Sequence, residues 1–373
     1  METDGEVVDN MCAQPPSDTD HANYFCEYGF LYHQMDMLED THRTGSYYEA
    51  VMSNPESFEG KVVLDVGAGS GILSIMAARA GAKQVYAIEA TDMAQRARKI
   101  VAANGLGHII HVIQGTVETV QLPCKVDVII SEWMGYLLLR ESMLDSVLVA
   151  RDKFLTPGGA LFPSHATLYL APLTEVKELK DKQGQIEVEA QRWETFEHDM
   201  KAWYEADFAC MKQEFIKEQR KYYLQTSCFV NLQPKQLLAK AQPVMQLDLK
   251  TVALEDLKDP KQPLQCSMRL TRDGIIEGFC GYFDVGFRGS PDCPVEQETS
   301  LSTAPTTGAQ THWGQQAFCF APPFQAKRGD LLKCSMLIKR QTPNQRLLRL
   351  EAKFTLAKQE GGKEEREETY YVD

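Results

Sequence analysis

The feature that most limits what this chain can fold into lies between residues 62 and 71, where the apolar run Val62-Val63-Leu64-Asp65-Val66 passes directly into Gly67-Ala68-Gly69-Ser70-Gly71. Such a run predicts a buried strand, and three glycines at alternate positions predict a tight turn that opens a helix. The pattern then repeats. Residues 72–80 read as a helix ended by Gly81, residues 85–88 as a second strand, and residues 92–103 as a helix that Asp92 can cap and that stops near Gly105. Residues 109–113 and 126–130 supply two more apolar strands. Strands alternating with helices specify an α/β unit: a parallel sheet covered on both faces, with ligands bound beyond the carboxyl ends of the strands near the first crossover.

The turn has the spacing G-x-G-x-G, not the G-x-G-x-x-G of dinucleotide sites, so it does not need to seat a pyrophosphate. Glu89 closes the second strand 18 residues after Gly71, where a carboxylate can accept both ribose hydroxyl protons. Asp65, expected to face the site, suits the cationic amino-acid end of S-adenosylmethionine better than a phosphate. Glu118, in Gly115-Thr116-Val117-Glu118 after the third strand, is expected at the adenine. The glycines alone would also describe a bare turn; Asp65 and Glu89 in register with them point to an adenosyl ligand.

A second constellation follows the fourth strand. Ser131-Glu132-Trp133-Met134-Gly135-Tyr136 leads into a loop in which a second acid, Glu141, comes nine residues after Glu132. A carboxylate at the end of a buried strand is costly unless compensated, and a cationic guest would compensate it. Two carboxylates on opposite arms of one loop can hold a planar guanidinium through paired, charge-assisted hydrogen bonds, a geometry that an ammonium ion would not need.

The rest of the chain sets the context. With 373 residues the chain is long enough for about two domains. Residues 1–22 are polar, carry Pro15 and Pro16, and are expected to stay flexible; residues 23–55 place Tyr24, Tyr28, Leu31, Met35 and Leu38 at helical spacings, as in short helices covering the site. The parallel-sheet unit is expected over residues 56–163. Beyond it, residues 164–373 read as an all-β domain with a helical insertion at about 190–225, where Trp193, Phe196, Met200, Trp203 and Tyr204 recur. The charge cluster at residues 358–368 is expected to be a solvated turn or loop.

The excess of 52 acidic over 39 basic residues disfavours nucleic acid and suits a basic partner, although acidity for solubility alone is the more ordinary reading. Ten cysteines without a C-x-x-C pair indicate neither a disulfide framework nor a metal site. The acidic start and the lack of a long apolar run lead us to expect a soluble protein of the cytoplasm, the nucleus or both, without a membrane partner.

Four stretches together resemble the protein arginine N-methyltransferase family. Ser131 to Tyr136 with Arg140-Glu141-Ser142-Met143-Leu144 is similar to its double-glutamate loop. Tyr24-Phe25-x-x-Tyr28 and Met37-Leu38-x-Asp40-x-x-Arg43-Thr44 are similar to its cofactor-covering amino-terminal helix, and Thr311-His312-Trp313 to the loop that leans on the substrate pocket. The resemblance runs from about residue 23 to the end. It implies a Rossmann-like S-adenosylmethionine-dependent methyltransferase domain followed by a β-barrel domain with a helical dimerisation arm, and hence a homodimer; an amphipathic insertion packed on its own chain is the alternative.

By the same resemblance, Glu132 and Glu141 would hold and polarise the substrate arginine, with Tyr24, Tyr28, Met134 and Trp313 around it. Arg43 would pair with the cofactor carboxylate, Gly67 and Gly69 would cradle its amino-acid end, and Met37 and Met143 would shape the methyl pocket. Many relatives carry His where this chain has Gln34, which can donate a hydrogen bond but cannot carry charge. His312 is either a proton acceptor or a structural histidine bonded to a loop carboxylate. Met37 and the Thr311-His312-Trp313 loop resemble the type I branch, which makes asymmetric dimethylarginine. The implied substrates are arginine-containing basic segments such as glycine-arginine-rich stretches or histone tails. A small-molecule methyltransferase and a non-catalytic adenosyl-binding scaffold are the rival readings; both leave the two glutamates without a task.

Overall fold

The computed structural model describes residues 28–342 and 344–373. Two short helices, α1 (Leu31–Glu39) and α2 (Thr41–Met52), precede a five-stranded parallel sheet in the order β3-β2-β1-β4-β5. Its strands are β1 (Val62–Val66), β2 (Gln84–Glu89), β3 (Ile110–Gln114), β4 (Val126–Ile130) and β5 (Leu155–Phe162), joined by α3 (Ile72–Arg79), α4 (Met93–Ala103) and α5 (Met143–Phe154). The apolar runs have a simple cause: Val63, Leu64, Val85, Ala87, Ile129 and Ile130 are buried between helical layers, so neither face of these strands tolerates a polar alternation. Strand order reverses between β1 and β4, which opens a crevice at their carboxyl ends.

The antiparallel part begins at once, with β6 (His165–Leu173), and forms two sheets. In one, β7 (Cys228–Val230), β12 (Gln315–Ala326), β10 (Gly274–Ser290), β6 and β8 (Gln242–Asp248) lie side by side, with β11 (Cys293–Ser302) on β10. The other has β9 (Leu264–Arg269), β13 (Leu331–Arg340), β14 (Leu348–Ala357) and β15 (Lys363–Val372). The barrel-like interior is aromatic: Phe279 packs against Phe318, Phe320, Phe354 and Tyr370 at centroid separations of 4.7–5.7 Å. Helix α2 joins the two domains. Tyr47 meets Phe287 edge-on, and the Asn54 side chain after α2 exchanges two hydrogen bonds with the backbone of Gln297 (2.9 and 2.8 Å).

Three local expectations change. The helical insertion starts at Lys177, not near residue 190: α6 (Lys177–Tyr204) is followed by α7 (Lys212–Arg220) and a π-turn over Lys221–Gln225. Only Leu179 and Glu189 of α6 are buried, so its first turns carry little apolar periodicity to read. The charge cluster near the carboxyl terminus is mostly strand. Only the turn around Gly361 and Gly362 is irregular, and from Lys363 the acidic residues form the open face of an edge strand, where Lys353 pairs with Glu367 (2.8 Å). Asp92 precedes α4 but makes no capping bond; its carboxylate accepts from Gln114 instead.

Candidate active site

A cavity of about 780 Å³ fills the crevice beyond β1, β2 and β4, within the size range of small-ligand sites. Its floor is the glycine turn. Gly67 (φ +72°), Gly69 (φ +53°) and Gly71 (φ +84°) occupy the left-handed region, and the amides of Gly67 and Ala68 both donate to the Ile88 carbonyl at 3.0 Å, fastening the turn to β2. A β-carbon on Gly67 would stand 2.6 Å from Met143 Cε, and one on Gly69 would stand 2.7 Å from Gln34 Oε1. The backbone here is therefore pressed between side chains of α5 and α1.

Glu89 is nearly buried and held in one orientation. Its Oε2 accepts from the Gly69 amide (2.8 Å), and its Oε1 accepts from the Thr91 amide and hydroxyl (2.8 and 2.7 Å). Oε2 keeps a lone pair for a hydroxyl donor. Glu118, further along the cavity, accepts from Ser146 Oγ (2.7 Å). Gln34 ties α1 to the turn by accepting from the Ser70 amide at Oε1 (3.1 Å), while its Nε2 donates weakly to the Tyr28 carbonyl (3.5 Å).

Asp65 departs from expectation. It lies wholly buried beneath the turn and does not line the cavity; Oδ2 accepts from Ser74 Oγ (2.7 Å), and Oδ1 has no hydrogen-bond partner among the described residues. Burial, opposed by the Ser74 bond and reinforced by the nearby Glu89 charge, lifts its pKa to about 7. The strand's alternation decides this: the side chain at position 65 points under the turn, and Val66 and residues 67–70 line the ligand space in its place.

Glu132 and Glu141 line this same cavity. Glu132 Oε1 accepts from the Met134 amide (3.1 Å), and Oε2 accepts from Arg43 Nε (3.0 Å) and Nη2 (2.7 Å). Arg43 Nη1 donates to the Met37 carbonyl (3.0 Å), so this guanidinium, which lines the cavity as expected, engages a glutamate and a backbone oxygen. Glu141 Oε2 accepts from the Tyr28 hydroxyl (2.6 Å), and Oε1 lies 3.2 Å from Arg140 Nη1. Behind the loop, Tyr47 donates to the Ser131 carbonyl (2.8 Å); burial and the Glu132 charge keep this phenol protonated. Met37, Met134 and Met143 complete the wall, while Tyr24 falls outside the described residues.

His312 and Trp313 support the site from outside it. Asp40 caps α2 by accepting from the Arg43 amide (2.9 Å), and its other oxygen accepts from the His312 amide (2.9 Å) and contacts Nδ1 (2.7 Å). Burial works against the Asp40 charge, but the bonds from His312 and Arg43 outweigh it and hold the carboxyl at about 2. Trp313 is buried, donates from Nε1 to the Met134 carbonyl (2.8 Å) and does not reach the cavity. Sequence reading missed Arg340, Thr342, Gln345 and Arg346, which bring the β13–β14 turn into the wall. Polar residues in a turn carry no local sign of a partner about 200 positions away.

The chain matches two family models: the arginine methyltransferase oligomerization subdomain over residues 165–359 and the ribosomal protein L11 methyltransferase (PrmA) over residues 40–159. It is 43% identical over 358 residues to protein arginine N-methyltransferase PRMT10 of Arabidopsis thaliana, covering 95% of this chain and 93% of that protein. Protein arginine N-methyltransferase 6 of Danio rerio is 42% identical over 80% of this chain and 78% of its own. The crystal structure of Arabidopsis thaliana protein arginine methyltransferase 10, described as uniquely open in conformation, superposes with a TM-score of 0.91 at 42% identity, over 94% of this chain and all of that one. A glycine-turn cavity walled by two glutamates, set on this pair of domains, and relatives alike along nearly the whole length have one reading: the chain belongs to the protein arginine N-methyltransferase family.

Proposed function

We propose that this chain transfers methyl groups from S-adenosylmethionine to guanidino nitrogens of arginines in basic proteins, leaving S-adenosylhomocysteine, and that it makes monomethyl- and asymmetric dimethylarginine. The carrying observation is that both glutamates of one loop share a cavity with the glycine turn, and that Glu132 already holds a guanidinium, that of Arg43, through two N–H donors on one oxygen. The glycine cradle and the fixed Glu89 carboxylate suit the amino-acid end and ribose of the cofactor.

When bound, S-adenosylmethionine supplies a methyl carbon on a sulfonium, open to in-line displacement. The residues must supply the rest. An arginine is protonated throughout the physiological range, which leaves its nitrogens poor nucleophiles. Glu132 and Glu141, gripping two nitrogens, draw the positive charge toward themselves and leave electron density on the third; held in advance, they need no reorganisation during the reaction. His312, bonded to Asp40 and away from the wall, fits its structural reading: it anchors the barrel loop to the α2 cap.

Type I specificity draws support from the cavity wall, where Met37 and Met143 both stand and no phenylalanine occurs among the described lining residues. Homodimer formation draws support from the matched oligomerization subdomain and from α6 and its surroundings, which leave Trp203, Tyr204 and Tyr222 about two-thirds exposed. The test is to incubate the protein with methyl-labelled cofactor and a glycine-arginine-rich peptide and to resolve the methylarginines by mass spectrometry. Asymmetric dimethylarginine that disappears in Glu132→Gln and Glu141→Gln is expected. Symmetric product would overturn the type I assignment, and an unlabelled peptide would overturn the activity.

A further inference from the structure

Glu141 is held in a conformation that its own loop does not explain. Its φ is +78° and that of Ser142 is +57°, a left-handed stretch that non-glycine residues rarely adopt and that persists only when surrounding structure imposes it. The imposing structure comes from the other domain. The Glu141 amide donates to the Arg346 carbonyl (2.6 Å), and Arg346 Nη1 donates back to the Glu141 carbonyl (2.8 Å). Ser142 Oγ adds a third bond, to the Gln345 carbonyl (2.7 Å). Both backbone groups of one acidic residue are thus clasped by a single arginine.

The clasp is itself rigid. The Arg346 amide donates to Asn344 Oδ1 (2.8 Å), the Leu347 amide to the Asn344 carbonyl (3.1 Å), and the Gln341 amide to the Leu347 carbonyl (3.0 Å), so the β13–β14 turn is braced from within. Its base is fastened to the methyltransferase domain by Arg340, whose two terminal nitrogens meet the two oxygens of Asp145 on α5 at 2.7 and 2.5 Å.

We infer that Arg346 is a positioning residue for methyl transfer: the barrel domain, through this side chain, sets the backbone of Glu141 so that its carboxylate meets the substrate guanidinium beside Glu132. The inference rests on the methyltransferase reading above. Arg346 lines the same cavity, and the role inferred for it runs through its two bonds to the Glu141 backbone; the cradle at Gly67, Gly69 and Glu89 is fastened separately, to Ile88 and Thr91. Catalytic groups misplaced by a fraction of an ångström slow the chemical step more than they weaken ground-state binding.

The experiment compares Arg346→Met, which keeps much of the side-chain bulk and removes the donor, with Arg346→Lys, which restores a donor, and with Ser142→Ala. Peptide methylation rates, cofactor affinity by calorimetry and melting temperature are measured for each and for the parent. The expected result is a kcat about tenfold or more below the parent for Arg346→Met, with cofactor affinity unchanged within about twofold and melting temperature preserved, and recovery by Arg346→Lys to within about threefold. Ser142→Ala lowers kcat in the same selective way and carries the test if Arg346→Met does not fold. A kcat unchanged in Arg346→Met and Ser142→Ala, a loss that tracks cofactor affinity or melting temperature, or a lysine variant as impaired as the methionine one overturns the inference. A parent protein that leaves the peptide unmethylated fails the functional reading itself, and the inference with it.

Discussion

Replacing Gly135 by alanine should slow methyl transfer about a hundredfold while leaving the cofactor site intact. An ideal β-carbon on Gly135 would lie 1.9 Å from the Arg140 carbonyl oxygen and 2.7 Å from its carbon, so the obstacle is backbone and not a side chain that can swing away. The two segments cannot simply part. Gly135 donates to the Leu138 carbonyl (3.1 Å) and Arg140 to that of Tyr136 (3.1 Å), while Leu137 and Leu138 already sit at φ +52° and +69°. Relieving the contact requires the Arg140 carbonyl to retreat by roughly 1 Å, and Glu141, the next residue, must follow it. A displacement of that size at a catalytic group costs about a hundredfold in rate. Gly67, Gly69 and Glu89 lie outside this loop, so cofactor affinity should stay within about threefold. The assay pairs initial rates on a glycine-arginine-rich peptide with calorimetric titration of the cofactor. A kcat within threefold of the parent, or a cofactor affinity that collapses together with kcat, would refute the reasoning.

Three further outcomes are expected. Because burial lifts the Asp65 carboxyl from 3.8 to about 7, it favours the folded state fully below its unfolded pKa, and that contribution, on the order of 4 kcal/mol, is lost as pH rises through about 7. Asp65→Asn should therefore flatten the pH dependence of the urea midpoint between about pH 4 and 7, and an unaltered slope would count against this assignment. Trp313→Phe leaves the buried Met134 carbonyl without its 2.8 Å donor and should cost about 1–3 kcal/mol in chemical denaturation; equal midpoints would show that the bond does not brace the loop. Tyr28→Phe removes a 2.6 Å bond to Glu141 and should lower kcat/KM for peptide by about tenfold, a loss that steady-state kinetics would detect, with an unchanged ratio speaking against a role in orienting Glu141.

Much of the parallel-sheet domain was legible because its signals are local. A strand buried on both faces must be apolar along its length, and β4 begins and ends where the Val126 and Ile130 run does. The glycine turn and the two glutamates were visible for the same reason: a left-handed turn favours glycine, and an acid ending a buried strand requires compensation. The first turns of α6 and the edge strand β15 were not, since solvated faces leave a mixed pattern that turns and loops share.

By itself the sequence determined which side chains are available and the local periods that make strands, helices and turns, because those depend on neighbours a few residues apart. Only the tertiary structure decided where the charged groups point. Arg43 meets Glu132 across 89 positions, Tyr28 meets Glu141 across 113, and Arg346 meets it across 205. Such pairings follow from how two domains dock around α2 and the β13–β14 turn, and no short-range pattern encodes the docking of surfaces so distant along the chain.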